Sequence, residues 1–307
     1  MKRGTWVRLF DLHCDTLTEG LHKHISVQRN DGSVDLARGS RYEAWIQAFA
    51  AFIPDGLSAE TALDTCRQLL AVSDEWCRTA PVYKITSSAE LSAFNTCGML
   101  LTVENGGALG DDARIIPWLF SNGVRLVGLT WNGDNHWACG CSGMGGLTPA
   151  GRCAVAELEQ AGIVVDVSHL NQRGFWQLDR MAQRPFIATH SASAAVCAHP
   201  RNLTDDQFVA IRDRGGLVGL TLYPEHLGGG DFEQIRRHLE HFIALNGEST
   251  LCFGADFDGM TSPPEWDGLS VYQRLYAYLS DCGWSQSLLD AVFYTNAYAF
   301  FRRALSA

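Results

Sequence analysis

No apolar stretch of the chain reaches transmembrane length, which argues against a membrane-spanning helix. Basic residues are not in excess: 24 Lys and Arg stand against 34 Asp and Glu, for a net charge of −10. Such a chain is a poor partner for nucleic acid or an anionic membrane surface. No internal repeat or low-complexity tract is present, which removes solenoids and arrays. No Gly-x-Gly-x-x-Gly follows the first apolar run, which counts against a dinucleotide-binding fold. No secretory leader is read, because Met1-Lys2-Arg3-Gly4-Thr5-Trp6 passes straight into that run. The ten cysteines are therefore expected to be free thiols in a cytoplasmic protein. Cys139-x-Cys141, with His136 nearby, lacks the spacing of a zinc knuckle and reads as loop cysteines.

What the chain does have is a regular alternation. Eight short apolar runs read as strands: 7–13, 44–52, 98–103, 125–130, 163–168, 185–189, 217–223 and 251–255. Helical patterns fall between them, at 58–79, 149–161, 205–214, 231–245 and 285–305. Thr148 is a candidate N-cap for the second of these. Continuous apolar strands that alternate with helices predict a parallel sheet closed into a (β/α)8 barrel of the TIM type. At 307 residues with 46% apolar content, one domain spanning 1–307 is expected.

The strand ends are polar, and barrel active sites gather at the C-terminal ends of strands. The first strand ends in His13 and Asp15, the third in Glu104, the fifth in His169, the sixth in His190 and the eighth in Asp256. A single histidine after a strand is ordinarily a core or turn residue, and Glu104 or Asp256 alone could cap a turn or helix. All six at one rim are harder to dismiss, because unpaired charges there would be costly without a cation. Three imidazoles and three carboxylates suit two divalent ions, with Zn²⁺ the foremost candidate and Mn²⁺, Fe²⁺ or Co²⁺ also compatible.

These motifs resemble the membrane (renal) dipeptidase family, metallopeptidases of the amidohydrolase-like barrel type. The likeness runs from Asp11-Leu12-His13-Cys14-Asp15 to Gly254-Ala255-Asp256-Phe257-Asp258-Gly259. Between them, Glu104-Asn105-Gly106-Gly107 resembles the family's Glu-Gly-Gly turn, and Gly146-Leu147-Thr148-Pro149-Ala150-Gly151 its Gly-Leu-Ser/Thr-Pro-x-Gly. Asp166-Val167-Ser168-His169 and Thr189-His190-Ser191 resemble its two histidine strands, and Arg201-Asn202-Leu203-Thr204-Asp205-Asp206 its Arg-Asn-x-x-Asp-Asp stretch.

The resemblance implies roles. His13 and Asp15 would bind one ion, His169 and His190 the other, and Glu104 would bridge them. A water or hydroxide between the ions would be the nucleophile, Asp256 would handle protons, and Arg201 would clamp the C-terminal carboxylate of a dipeptide. Tyr223 and Asp258, at the ends of the last two strands, are further candidate substrate contacts. Members of the mammalian type carry a histidine after strand four in a Leu-Thr-His context. Here Trp131 stands in that place, able to donate one N–H but unable to act as a base. Asn132, Asp134 and His136 are candidates to stand in for it.

The expected activity is a metal-dependent dipeptidase that also accepts a D-residue at the C-terminal position. The alternative is a related amide hydrolase acting on N-acyl amino acids or cyclic amides. A barrel that holds a ligand or a structural metal without catalysis would be favoured by a missing position, and all six are filled. A dipeptide is the expected partner, and a homodimer is permitted without being required.

Overall fold

The computed structural model describes residues 7–94 and 96–306. Nine strands run in chain order: β1 (Arg8–Cys14), β2 (Ala44–Phe52), β3 (Val82–Lys84), β4 (Cys97–Glu104), β5 (Val124–Gly128), β6 (Val164–Asp166), β7 (Ala188–Ser191), β8 (Val218–Leu220) and β9 (Leu251–Phe253). All pairings are parallel, in the order β6-β5-β4-β2-β1-β9-β8-β7. A single parallel bridge between Asp166 and Ile187 joins β6 to β7 and closes the ring. The (β/α)8 barrel is therefore present, with eight parallel strands around it. β3, unpredicted because it is only three residues long, pairs with the first half of β4, whose second half pairs with β5.

The strands are buried on both faces, which is why they read as continuous apolar runs. Helices cover the outside and start on side-chain caps. Thr148 accepts from the Gly151 N–H as expected, and Ser58, Asn171 and Asp231 cap other helices in the same way. Thr204 and Gln207 form a reciprocal capping box at the head of Asp205–Asp213. Several helices were not anticipated, among them Thr16–Lys23, Ile116–Ser121, Gln172–Met181 and Val271–Asp281. The C-terminal segment is helical as expected but carries a π-helical turn at Ala291–Thr295. None of the described helices is long and apolar enough to cross a membrane.

The floor of the barrel is apolar. Phe10, Ile46, Leu100, Leu126 and Ile187 pack together there, closed off by Phe300 and Phe301 of the last helix. Phe10 stacks on Phe301 with ring centroids 5.3 Å apart. Each such phenyl contributes about 1.5–3 kcal/mol by leaving water. The mouth differs, because there the strands end in hydrogen-bonding and charged side chains.

Candidate metal centre

Asp11 fixes the first strand end. Its carboxylate accepts from the N–H of His13 (2.9 Å) and Ala255 (3.0 Å), from Gln47 Nε2 (2.8 Å) and from the Tyr272 hydroxyl. One fully buried side chain thus ties β1, β2, the end of β9 and helix Val271–Asp281 together. Strand alternation alone does not place the His-x-Asp pair. The β1–β2 register shifts between Asp11 and Cys14, and Asp15 lies past the strand, at the head of helix Thr16–Lys23. Both side chains nevertheless reach the same point.

Glu104 ends β4 and its backbone turns sharply afterwards. Asn105 adopts φ +79°, which asparagine tolerates, and its side chain accepts from the Gly107 N–H. Gly106 is required at the next position, since a Cβ there would lie 2.6 Å from the Leu129 carbonyl oxygen. On the far side of the barrel, a Cβ on Gly254 would lie 1.8 Å from the Thr189 carbonyl oxygen, so only glycine lets these strand ends close up.

The expected ligand side chains converge. His13 Nε2 lies 3.1 Å from Glu104 Oε2, 3.7 Å from Asp15 Oδ2 and 3.8 Å from Asp256 Oδ1. His169 Nε2 lies 2.7 Å from Glu104 Oε1 and 2.9 Å from His190 Nε2. Glu104 therefore sits between an acid-rich half around His13 and an imidazole pair from the turn after β6 and from β7. Behind that pair lies Asp166, singled out by the sequence only as part of a motif. It takes the hydroxyl protons of Ser168 (2.6 Å) and Thr189 (2.5 Å). With its own proton spent on Asp166, Thr189 Oγ1 accepts from His190 Nδ1–H at 2.8 Å, which turns the Nε2 lone pair toward Glu104.

The charges are not balanced from within. Burial lowers His13, but the carboxylates of Glu104 and Asp15 outweigh it and hold the ring well above the usual histidine range. Burial and then the Glu104 charge push Asp15 up to about 8. Burial raises Glu104, but His13 and His169 overcome it and hold its carboxyl below the usual carboxylate range. Burial drives His169 down to about 4, helped by the Arg201 charge, and His190 well below its usual range, helped by His13.

The donor set fits divalent metal. Asp15 Oδ1 is buried with no hydrogen-bond partner. His13, Glu104 and His190, and likewise His13, Asp15 and Asp256, each offer ligand atoms within 4.8 Å of one another. A proton can satisfy one pair of such atoms, whereas a cation can satisfy several at once. Cys139 and Cys141 do not join a metal-capable group among the described residues.

A cavity of about 550 Å³ opens above these atoms, a size typical of small-ligand sites. Asp15, Glu104 and His169 reach it, while His13 and His190 lie beneath its floor. Arg201, Trp131, Tyr223, Asp256 and Asp258 all line it, as does Asn132. Arg201 is only 6% exposed, and its NH1 is buried without a partner. Trp131 packs edge-on against Phe52, with centroids 5.1 Å apart. Asp258 is already engaged: its oxygens accept from Thr16 Oγ1 (2.6 Å) and the Ser33 N–H (2.7 Å), which anchors the loop. Asp256 and Asp258 both hold φ near +70°, at +70° and +67°, a strained setting that puts the Asp256 carboxyl at the cavity. Asp134 and His136 do not line this cavity, and His136 instead lies 3.8 Å from Asp111 at the surface.

Comparison with known proteins places this geometry. Residues 5–306 match the model of the membrane dipeptidase family, peptidase family M19. Among curated relatives, an uncharacterized protein in the pqqA 5′ region of Klebsiella pneumoniae is 34% identical over 64% of this chain and 79% of its own length. Dipeptidase aclJ of Aspergillus oryzae is 30% identical over 60% of this chain, and mouse Dipeptidase 3 is 26% identical over 84%. The chain spans only 46% and 55% of those two proteins. A metallo peptidase from Rhodobacter sphaeroides, liganded with a phosphinate mimic of the dipeptide L-Ala-D-Ala, superposes with a TM-score of 0.91 at 26% identity. That match covers 98% of this chain and 100% of the other. The match of the family model along almost the whole length, on a barrel whose mouth gathers these side chains, makes this chain a member of the membrane dipeptidase family, a family of hydrolases acting on peptide bonds.

Proposed function

We propose that the protein is a metal-dependent dipeptidase whose site holds two divalent ions, most readily Zn²⁺. The observation that carries this reading is the convergence of His13, Asp15, Glu104, His169 and His190 beneath one cavity. His13 and Asp15 would hold one ion, His169 and His190 the other, with Glu104 shared between them. Bound there, the ions would supply Lewis acidity, lowering the pKa of water and offsetting charge on the carbonyl oxygen.

The remaining steps belong to the chain's own residues. Asp256 takes a proton at the cavity floor and passes it to the departing amine. Burial raises its carboxyl above the usual range, toward the protonated form needed to donate. Arg201 binds the C-terminal carboxylate through its free guanidinium edge, which limits the substrate to very short peptides. Trp131 presents one N–H donor where a mammalian-type member has histidine, and Tyr223 lines the same cavity. Asp258 supports the loop that carries Asp256. Acceptance of a D-residue next to Arg201 is part of the reading, supported by the L-Ala-D-Ala mimic in the Rhodobacter protein.

Purified protein loaded with Zn²⁺ and assayed on L-L and L-D dipeptides, with a chelated control, tests this reading. Chelator-sensitive cleavage supports it. Two bound ions without dipeptide cleavage would move the substrate to N-acyl amino acids or cyclic amides, the reading that the Trp131 change keeps open.

A further inference from the structure

Two side chains outside the ligand set, Asn132 and Cys141, meet the far ring nitrogen of His169 at the cavity wall. Asn132 Oδ1 lies 3.1 Å from His169 Nδ1 and 3.2 Å from Cys141 Sγ. Asn132 follows Trp131 in the loop after β5, and Cys141 lies beyond the turn that returns alongside it. That turn is closed by the bonds from Gly140 N–H to Gly133 O (3.0 Å) and from Ser142 N–H to Asn132 O (3.0 Å). Cys141 and Asn132 both line the cavity, next to Trp131.

The orientation of the amide follows from its neighbours. The carboxamide oxygen faces both groups, and the Cys141 S–H donates to it at 3.2 Å. The same oxygen then accepts from His169 Nδ1–H. That selects the tautomer whose Nε2 carries a lone pair, and it is Nε2 that faces Glu104 and His190. His190 reaches the same state through Thr189 and Asp166, deep in the barrel. His169 reaches it through a loop that substrate can touch.

The geometry points to Asn132 as the positioning residue that fixes the metal-binding tautomer of His169, and to Cys141 as its thiol support, through which a thiol reagent entering the cleft loosens the ion held by His169. This rests on the metal-dependent reading above. The link between cleft and metal is short: Sγ of Cys141, Oδ1 of Asn132, then the imidazole. Alkylation by iodoacetamide forms an S–CH2 bond, iodide leaves with the C–I electron pair, and the thiol proton goes to buffer. The sulfur then has no proton to donate, and the added group must displace Asn132 or fill the cleft.

Metal content and release rate into a competing chelator test the proposal without reference to turnover. Wild type is expected to hold two Zn²⁺ per chain. Asn132→Leu removes the acceptor and should release one of the two about 10- to 100-fold more readily. Asn132→Asp keeps the acceptor and should restore retention. Carbamidomethylated wild type, with the label at Cys141 confirmed by mass spectrometry, should lose the same ion, while Cys141→Ser treated in parallel keeps it. This arm needs no destabilised variant. Wild-type retention in Asn132→Leu, or in protein labelled at Cys141, would overturn the proposal, and a Cys141 that resists the reagent would overturn its accessibility. Wild-type protein that takes up no divalent ion would instead overturn the metal reading, and this proposal with it.

Discussion

At the floor of the barrel Phe10 stacks on Phe301, and the aliphatic side chains of Ile46, Leu100 and Ile187 close around them. Three residues further along the same first strand, roughly 10 Å away, His13 faces three carboxylates. The floor satisfies every neighbour by contact. The mouth leaves Asp15 Oδ1 and Arg201 NH1 buried without partners and holds two aspartates at positive φ. One end is organised for stability, and the other carries polar groups left for something that arrives later. The two ends should therefore respond differently to substitution.

The sharpest contrast comes from Glu104→Gln. It should cut metal occupancy and dipeptide turnover together, by about 100-fold or more, because it removes a charge that both halves of the site share. Metal analysis alongside kinetics checks it, and full activity in that variant would refute the shared role. Phe301→Ala is the matching change at the floor. It should cost about 3–5 kcal/mol of stability in denaturant unfolding while kcat of the folded protein stays near wild type. A large loss of kcat there would break the contrast.

Arg201→Lys should act mainly on substrate affinity. Replacing the planar fork with a point charge should raise KM about 10- to 100-fold, the equivalent of losing a hydrogen bond to a charged group. Metal content should be unchanged.

Beside the site, an effect absent above pH 6.5 grows on acidification. His238 is fully buried, accepts from the Ser193 N–H at 3.0 Å and meets Leu227 O at 3.1 Å; burial, with Arg237 adding, brings it down to about 4. Above pH 6.5 the ring is neutral whether the chain is folded or not. Between pH 6.5 and about 4 the unfolded chain binds a proton that the folded one refuses, so stability falls as pH drops, by up to about 1.4 kcal/mol per pH unit. Unfolding at stepped pH in His238→Gln should lack that part of the slope.

Much of this was legible in the chain. The eight barrel strands were, because strands buried on both faces must be apolar throughout. The Thr148 cap was, because its bond is local. The six charged strand ends were, because their types and order carry the chemistry. Helix Val271–Asp281 was missed, although its Tyr272 reaches Asp11 across the barrel. The roles of Asp11, Asp166 and Asn132 were missed as well. Each acts through a partner far off in sequence: 261 residues for Asp11 and Tyr272, 37 for Asn132 and His169. Asp258 lies two positions from Asp256 in one short loop, and the sequence offers it as a substrate contact. Only the fold gives both its oxygens to Thr16 and Ser33 and leaves Asp256 at the cavity.

The sequence by itself determined the barrel, its family and the side chains that line its mouth, because hydrophobic periodicity and residue chemistry are local properties. Only the tertiary structure decided which carboxylate is free, which imidazole nitrogen faces inward and which guanidinium edge is unpaired. Those depend on hydrogen-bond partners that meet only once the ring of strands has closed.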